Sequence, residues 1–312
     1  MAPCAAIDVG TNTLRLLVAQ AVGLDDFTIL HEEQQITRLG EGLLPLRMLQ
    51  GEPIRRSLAV LRRFADVARS YNAGQIAAVC TSAVREAGNG GEFVAEAARE
   101  TGLTLRVIDG REEARLTLLG VRHGLRLGSR RVLAIDIGGG STEFILAAGE
   151  SIEGIVSTGL GVVKLTERYL VSDPPTVGEL QSVKEAVGAR IARLGDELPH
   201  LKGAQLVGTA GTVTTLAAID LALVAYDRQK VHGHCLTLAR VAEILHRLAA
   251  LPIRERRGVP GLEPGRADII VAGAAIVAVS MERLGYSELR VSDDGLREGI
   301  LLDLLRSRNR GG

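Results

Sequence analysis

The chain has 312 residues, and its 37 Lys and Arg balance 37 Asp and Glu, so the formal net charge is zero. No global field draws it to nucleic acid or to a membrane surface, and a polyanionic ligand needs a local cluster of basic side chains instead. Aromatics make up 3% of the residues, with no Trp, which removes the stacking platforms that single-stranded nucleic acid requires.

The length suits one large domain or two of ordinary size, and a hydrophobic content of 46% is enough for a proper core. Cys4, Cys80 and Cys235 are far apart and odd in number, so a disulfide framework is not expected and a reducing cytoplasmic setting is. The start, MAPCAAIDVG, has no basic region ahead of its apolar run and does not read as a secretory signal. Apolar runs all fall short of the roughly 18 residues of a membrane span.

In chain order, AIDVGTNTLRLLVA from Ala6 reads as strand, turn and strand. A helix over 53–71 follows, with Pro53 at its first position and Ile54, Leu58, Leu61 and Ala65 on one face. Residues 75–80 (QIAAVC) form a buried strand that runs through Thr81 and Ser82 into a helical turn bearing Arg85. Then come a helix over 92–102, a strand over 104–108 and a helix over 111–125. The second half repeats the style. Strands are expected near 132–137, 143–148 and 152–157, helices near 161–170 and 176–196, and a strand over 205–208 leading through TAGT into a helix from about 212. Residues 251–266 are a loop rich in Pro, Gly and Arg, and further helices are expected near 238–250, 266–284 and 295–306. The class is α/β with mixed sheets.

An internal echo organises this pattern. AIDVGTNTLRLLVA at Ala6 returns as AIDIGGGSTEFILA at Ala134, 134 − 6 = 128 residues later. Asp8 answers Asp136, Gly10 answers Gly138, Thr13 answers Ser141, and Arg15 answers Glu143. The echo implies a duplicated domain with a cleft between the copies. The expected division is 1–127 and 128–312, with the last helix, about 300–312, a candidate to return to the first domain.

Several stretches carry candidate chemistry. No Lys follows Gly138, Gly139 and Gly140, which removes a Walker loop, and the strand-like EFILAA removes a Rossmann turn. A glycine-rich hairpin remains, in which backbone N–H groups can approach phosphate oxygens and Ser141 and Thr142 add hydroxyls. An ordinary tight hairpin is the alternative. Asp136 ends an apolar strand, where a charge is costly unless paired or metal-bound. Glu143 lies across the hairpin from it, and two carboxylates beside a phosphate cradle suit Mg²⁺. Asp8 holds the same place in the first copy, where a turn cap explains it equally well. Arg85 after a strand-to-helix turn fits an anion clamp as well as it fits a surface arginine. Glu112 and Glu113 fit a helix start through the dipole alone. The small residues of GTAGT allow backbone to approach a ligand, or cap a helix through Thr209 or Thr212. His232, His234 and Cys235 have no zinc-set spacing and read as a loop before a Thr-capped helix.

Taken together, AIDVGTNTLRLLVA, TSAVREA, DGREEARL, AIDIGGGSTEF, GTAGT, GRADIIVAGAAI and VSDDGLREGIL resemble the exopolyphosphatase/guanosine pentaphosphate phosphatase (Ppx/GppA) family in its short form. The motifs stand in the family's order and span nearly the whole chain. The resemblance implies two ribonuclease-H-like domains of the actin/sugar-kinase/heat-shock ATPase superfold around a central cleft. It implies hydrolysis of a terminal phosphoanhydride, with Glu113 as the general base. Asp136 and Glu143 then hold Mg²⁺, or Mn²⁺, with Asp8 as their first-domain partner. Gly10, Thr11, Asn12 and Thr13 match one phosphate cradle, and Gly138, Gly139, Gly140, Ser141 and Thr142 the other. Arg85 matches a phosphate clamp beside Ser82, Gly211 a close backbone approach, and Arg15 and Arg266 contacts to the anionic ligand. Longer members carry further C-terminal helical domains, one of them HD-like, that have no counterpart in this sequence, so processive handling of long chains is not part of what the resemblance implies.

The expected substrate is inorganic polyphosphate. Guanosine pentaphosphate, converted to the tetraphosphate, is the alternative, and the sequence does not choose between them. A non-catalytic polyphosphate or alarmone sensor is disfavoured by the presence of Glu113, Asp136 and Glu143. A sugar or acetate kinase is disfavoured by the absence of a sugar-pocket motif. A homodimer is an expectation from the resemblance alone.

Overall fold

Every residue of β1 (Cys4–Val9) is buried because alternate side chains feed two different cores. Ala5, Ile7 and Val9 join Leu58, Leu61 and Phe64 of helix Gly51–Ser70. Cys4 and Ala6 join Leu116 and, from the other end of the chain, Leu296, Ile300, Leu301 and Leu305 of helix Leu296–Arg310. The coordinates, a computed structural model, describe residues 2–23, 25–149 and 151–310. Positions 311 and 312 of the expected last helix lie outside the described residues.

The chain forms two units, 1–120 with 295–312, and 121–294. In the first, β1 pairs antiparallel with β2 (Thr13–Val22) and parallel with β4 (Gln75–Cys80). With β3 (Asp26–Ile36) and β5 (Leu105–Val107) the strand order is β3-β2-β1-β4-β5. In the second, β6 (Arg131–Ile137), β7 (Thr142–Ala148), β8 (Ser151–Thr158), β9 (Gln205–Thr209), β10 (Cys235–Thr237) and β11 (Glu288–Val291) give the order β10-β11-β9-β6-β7-β8. Read from the three-stranded antiparallel side, both sheets run through two hairpins and then two parallel strands. The echo in sequence is thus an echo in topology, and each unit has a ribonuclease-H-like sheet.

Some bounds differ from those expected. Helix Gly51–Ser70 starts two residues before Pro53, which the first turn tolerates. The helix expected from 266 begins at Ile270, since Pro264–Arg266 is a separate 3₁₀ turn. The loop ahead of it contains a short helix, Ile253–Arg256, and is tied by the buried Arg256, which donates to the Leu251 and Ala267 carbonyls. Thr237 caps helix Leu238–Ala249 by accepting from the Arg240 N–H. No helix among the described residues is long and apolar enough to cross a membrane.

Helix Leu296–Arg310 meets helix Gly110–Leu125 backbone to backbone. A Cβ on Gly299 would strike the Leu116 carbonyl, and one on Gly120 would strike the Gly295 carbonyl. Gly299→Ala should therefore cost about 1–3 kcal/mol in a denaturant titration, as overpacking of a fixed crossing does. Gly178→Ala, in helix Val177–Ala192 where a Cβ meets nothing within 4 Å, should gain up to about 1 kcal/mol. Equal losses at both would contradict the crossing.

Candidate active site

In the first unit the candidate residues gather where β1 and β4 end. The Gly10 N–H donates to the Thr13 carbonyl at 3.2 Å and closes the hairpin. A side chain at Gly10 would sit 2.8 Å from that same oxygen, which is why glycine stands there. The loop is fastened from outside: Thr37 and Arg38 N–H groups donate to the Asn12 carbonyl, and the Gly40 N–H donates to the Thr11 carbonyl. Thr11, Asn12 and Thr13 are buried. Asp8 is buried and lies directly opposite Arg15 in the β1–β2 register. Burial pushes the neighbouring Cys80 thiol far above its usual range, and the Asp8 charge adds to it, so Cys80 is no nucleophile.

β4 delivers the next group. The Thr81 N–H donates to the Val9 carbonyl, and the chain turns into the five-residue helix Ser82–Glu86. Ser82 Oγ donates to Glu86 Oε1 at 2.6 Å. Arg85 Nη1 donates to the Ile108 carbonyl at 2.8 Å and to Glu113 Oε2 at 2.9 Å. Glu113 stands in the first turn of helix Gly110–Leu125, where Asp109 accepts from the Arg111 and Glu112 N–H groups. Its side chain is 9% exposed against 23% for Arg85. A carboxylate so far out of water needs such a charge-assisted partner. Residues 28 apart in sequence are thus joined directly, and the joint fixes the carboxylate in place.

In the second unit the corresponding hairpin joins β6 to β7. Asp136 and Glu143 are direct cross-strand partners, and both are buried. Ser157 on β8 is opposite Glu143 and donates Oγ to Glu143 Oε1 at 2.7 Å. Asp136 also stands beside Thr209 of β9. The Gly138 N–H donates to the Ser141 carbonyl at 2.9 Å. None of Gly138, Gly139 and Gly140 has a positive φ, so turn geometry alone does not demand three glycines. The bend is packed from outside: Val162 and Val163 N–H groups, opening helix Val162–Tyr169, donate to the Gly138 and Gly139 carbonyls, and a Cβ on Gly161 would strike the Gly139 oxygen. Thr142 Oγ1 donates to the Leu160 carbonyl, so its hydroxyl proton is engaged within the fold.

The turn from β9 into helix Ala210–Asp220 carries the remaining candidate residues. Ala210 opens helix Ala210–Asp220 with a φ of 68°, a costly conformation for alanine that persists where the surroundings dictate it. Beside it, Gly211 lets the Arg266 guanidinium lie where a Cβ would otherwise be. Arg266 is buried, and its Nε donates to Glu263 Oε2 at 2.9 Å. His232 and His234 part company: the first accepts from the Asp293 N–H, and the second pairs with Asp220.

Two acids on one sheet face fit a hard divalent cation that keeps several waters and takes its remaining oxygens from a phosphate. They do not make a closed protein cage, and no group of three or more His, Cys, Asp or Glu suited to a metal occurs among the described residues. That donor set suits Mg²⁺ or Mn²⁺ better than zinc. Ser157 and Glu86 had no signal in sequence. Ser157 reaches Glu143 through a register shifted at Leu146/Ala147, and a bulge of that kind cannot be counted from residue spacing.

A model of the Ppx/GppA phosphatase family matches residues 17–308 of the chain. Exopolyphosphatase 2 of Mycobacterium tuberculosis is 35% identical, over 96% of this chain and 98% of its own. The crystal structure of the Aquifex aeolicus Ppx/GppA family member superimposes with a TM-score of 0.82 at 32% identity, covering 98% of each chain. An exopolyphosphatase from Cytophaga hutchinsonii superimposes with a TM-score of 0.90 at 28% identity, again over 98% of each chain.

Proposed function

The chain belongs to the Ppx/GppA phosphatase family, and from that premise we propose that it is an exopolyphosphatase that releases orthophosphate from the ends of inorganic polyphosphate. The observation that carries the reading is the Arg85–Glu113 pair, a buried carboxylate held by a guanidinium at 2.9 Å. A base must be fixed before it can take a proton along one direction.

In this reading Glu113 accepts the proton of a water whose oxygen attacks the terminal phosphorus. The P–O bond to the next phosphate breaks, its electron pair leaves on the shortened chain, and the terminal group departs as orthophosphate. The leaving phosphate is stable as an anion, so no strong general acid is required. Phosphoryl transfer asks mainly for charge stabilisation. Both Nη1 hydrogens of Arg85 are engaged by Ile108 and Glu113, and its other N–H groups are the ones to meet a phosphoryl oxygen. The loops Gly10–Thr13 and Gly138–Thr142 would form two phosphate cradles through amides other than those of Gly10 and Gly138, which close the hairpins onto the Thr13 and Ser141 carbonyls, and Arg15 and Arg266 supply further positive charge. Asp136 and Glu143 would hold Mg²⁺ or Mn²⁺, which supplies Lewis-acid neutralisation of the non-bridging oxygens. The setting is cytoplasmic, and the assembly a homodimer.

The test is orthophosphate release from polyphosphate and, side by side, from guanosine pentaphosphate, each with and without Mg²⁺. Release from polyphosphate that needs Mg²⁺ is expected. Turnover of guanosine pentaphosphate alone would transfer the same chemistry to the alarmone, and tight binding without turnover of either would leave a sensor.

A further inference from the structure

Glu143 is 1% exposed and carries three side-chain torsions. A carboxylate so placed binds a cation well only when something fixes its plane. The structure supplies that partner from the neighbouring strand. Ser157 is the direct cross-strand neighbour of Glu143, and its Oγ donates to Oε1 at 2.7 Å, a charge-assisted bond of ordinary length. The end of β8 that carries it is anchored independently. Thr158 Oγ1 donates to the Thr142 carbonyl at 2.9 Å and accepts from the Leu160 N–H at 3.3 Å, and Thr142 Oγ1 donates to the Leu160 carbonyl. Ser157 itself is on the exposed side of β8, so it fills no core and its hydroxyl has one evident task.

We propose that Ser157 is a positioning residue for the cation site at Asp136 and Glu143, fixing the Glu143 carboxylate through Oε1 so that it meets the ion in one orientation. The inference rests on the reading of those two acids as the cation site. Partners of this kind set ligand orientation and basicity, and their loss commonly weakens metal binding by about 10–100-fold.

The experiment is Mn²⁺ titration of the full chain followed by electron paramagnetic resonance, with no polyphosphate present, on wild type, Ser157→Ala, Ser157→Thr and Asp136→Asn. Thermal midpoints in chelator confirm that each variant is folded. The expected result is Mn²⁺ binding by wild type, loss in Asp136→Asn, weakening of about 10–100-fold in Ser157→Ala, and recovery in Ser157→Thr, which keeps the hydroxyl and suits a strand. Wild-type binding by Ser157→Ala, with Asp136→Asn defective, would overturn the role of Ser157 and leave the cation site standing. Weakening in Ser157→Ala that Ser157→Thr does not relieve would also overturn it, because the hydroxyl would not be the cause. Wild-type binding by Asp136→Asn, or none by wild type, would remove the cation site itself and the inference with it.

Discussion

Glu113→Gln is expected to lower kcat for orthophosphate release from polyphosphate by about 10²–10⁴-fold, the usual worth of a placed general base. Glutamine keeps the length of the side chain and still accepts from Arg85 Nη1, so the local packing around the 2.9 Å contact survives. What it cannot do is take a proton from water. The charge balance moves in a definite direction as well. Removing the carboxylate leaves Arg85 uncompensated beside the Ile108 carbonyl, and a polyanion then finds a more positive surface. Polyphosphate binding by the variant should be as tight as wild type or tighter. Loss of rate together with loss of binding would point to a collapsed site, and a retained rate would place the base elsewhere.

Asp136→Asn is expected to lower activity on the order of 10²–10³-fold at limiting Mg²⁺, since a Lewis acid on a phosphoryl oxygen contributes several kcal/mol. The same change should stabilise the protein when no metal is present. Asp136 and Glu143 are like charges directly opposite one another on adjacent strands, an arrangement that costs up to about 1 kcal/mol. Melting in chelator should therefore give a higher midpoint for Asp136→Asn than for wild type. A lower midpoint would mean that Asp136 serves the fold and not an ion.

These expectations draw unevenly on what the residues alone reveal. The Ala-Ile-Asp-x-Gly echo predicted a duplicated strand–turn–strand, and both sheets carry it in the same order. Strand 75–80 and the helical turn with Arg85 were legible because a continuous apolar run ends abruptly in Thr81 and Ser82. β3 was not legible. It is an edge strand with charged and polar residues on both faces, DFTILHEEQQI, and edges of that kind break the alternation that announces a strand. β10 and β11 are three and four residues long, too short for periodicity to register.

The return of the last helix to the first unit was open from sequence because amphipathicity tells which face is buried and not against what. The contact is made by glycines: Gly299 lets the helix lie on the Leu116 carbonyl. The site shows the same limit. Glu113, Asp136 and Glu143 were nominated by motif, but Arg85 as the partner of Glu113, and Ser157 as the partner of Glu143, follow only from coordinates. Hydrogen bonds between side chains 28 and 14 residues apart leave no trace in local spacing.

Attack by water on the terminal phosphorus is read out by turnover of polyphosphate in ¹⁸O-labelled water with both products analysed. One ¹⁸O atom is expected in each orthophosphate cut from a chain of three or more phosphates, none in the remaining chain, and chains shortened one phosphate at a time. Label appearing in the remaining chain, or unlabelled orthophosphate cut from chains of three or more phosphates, would contradict attack by water at that phosphorus.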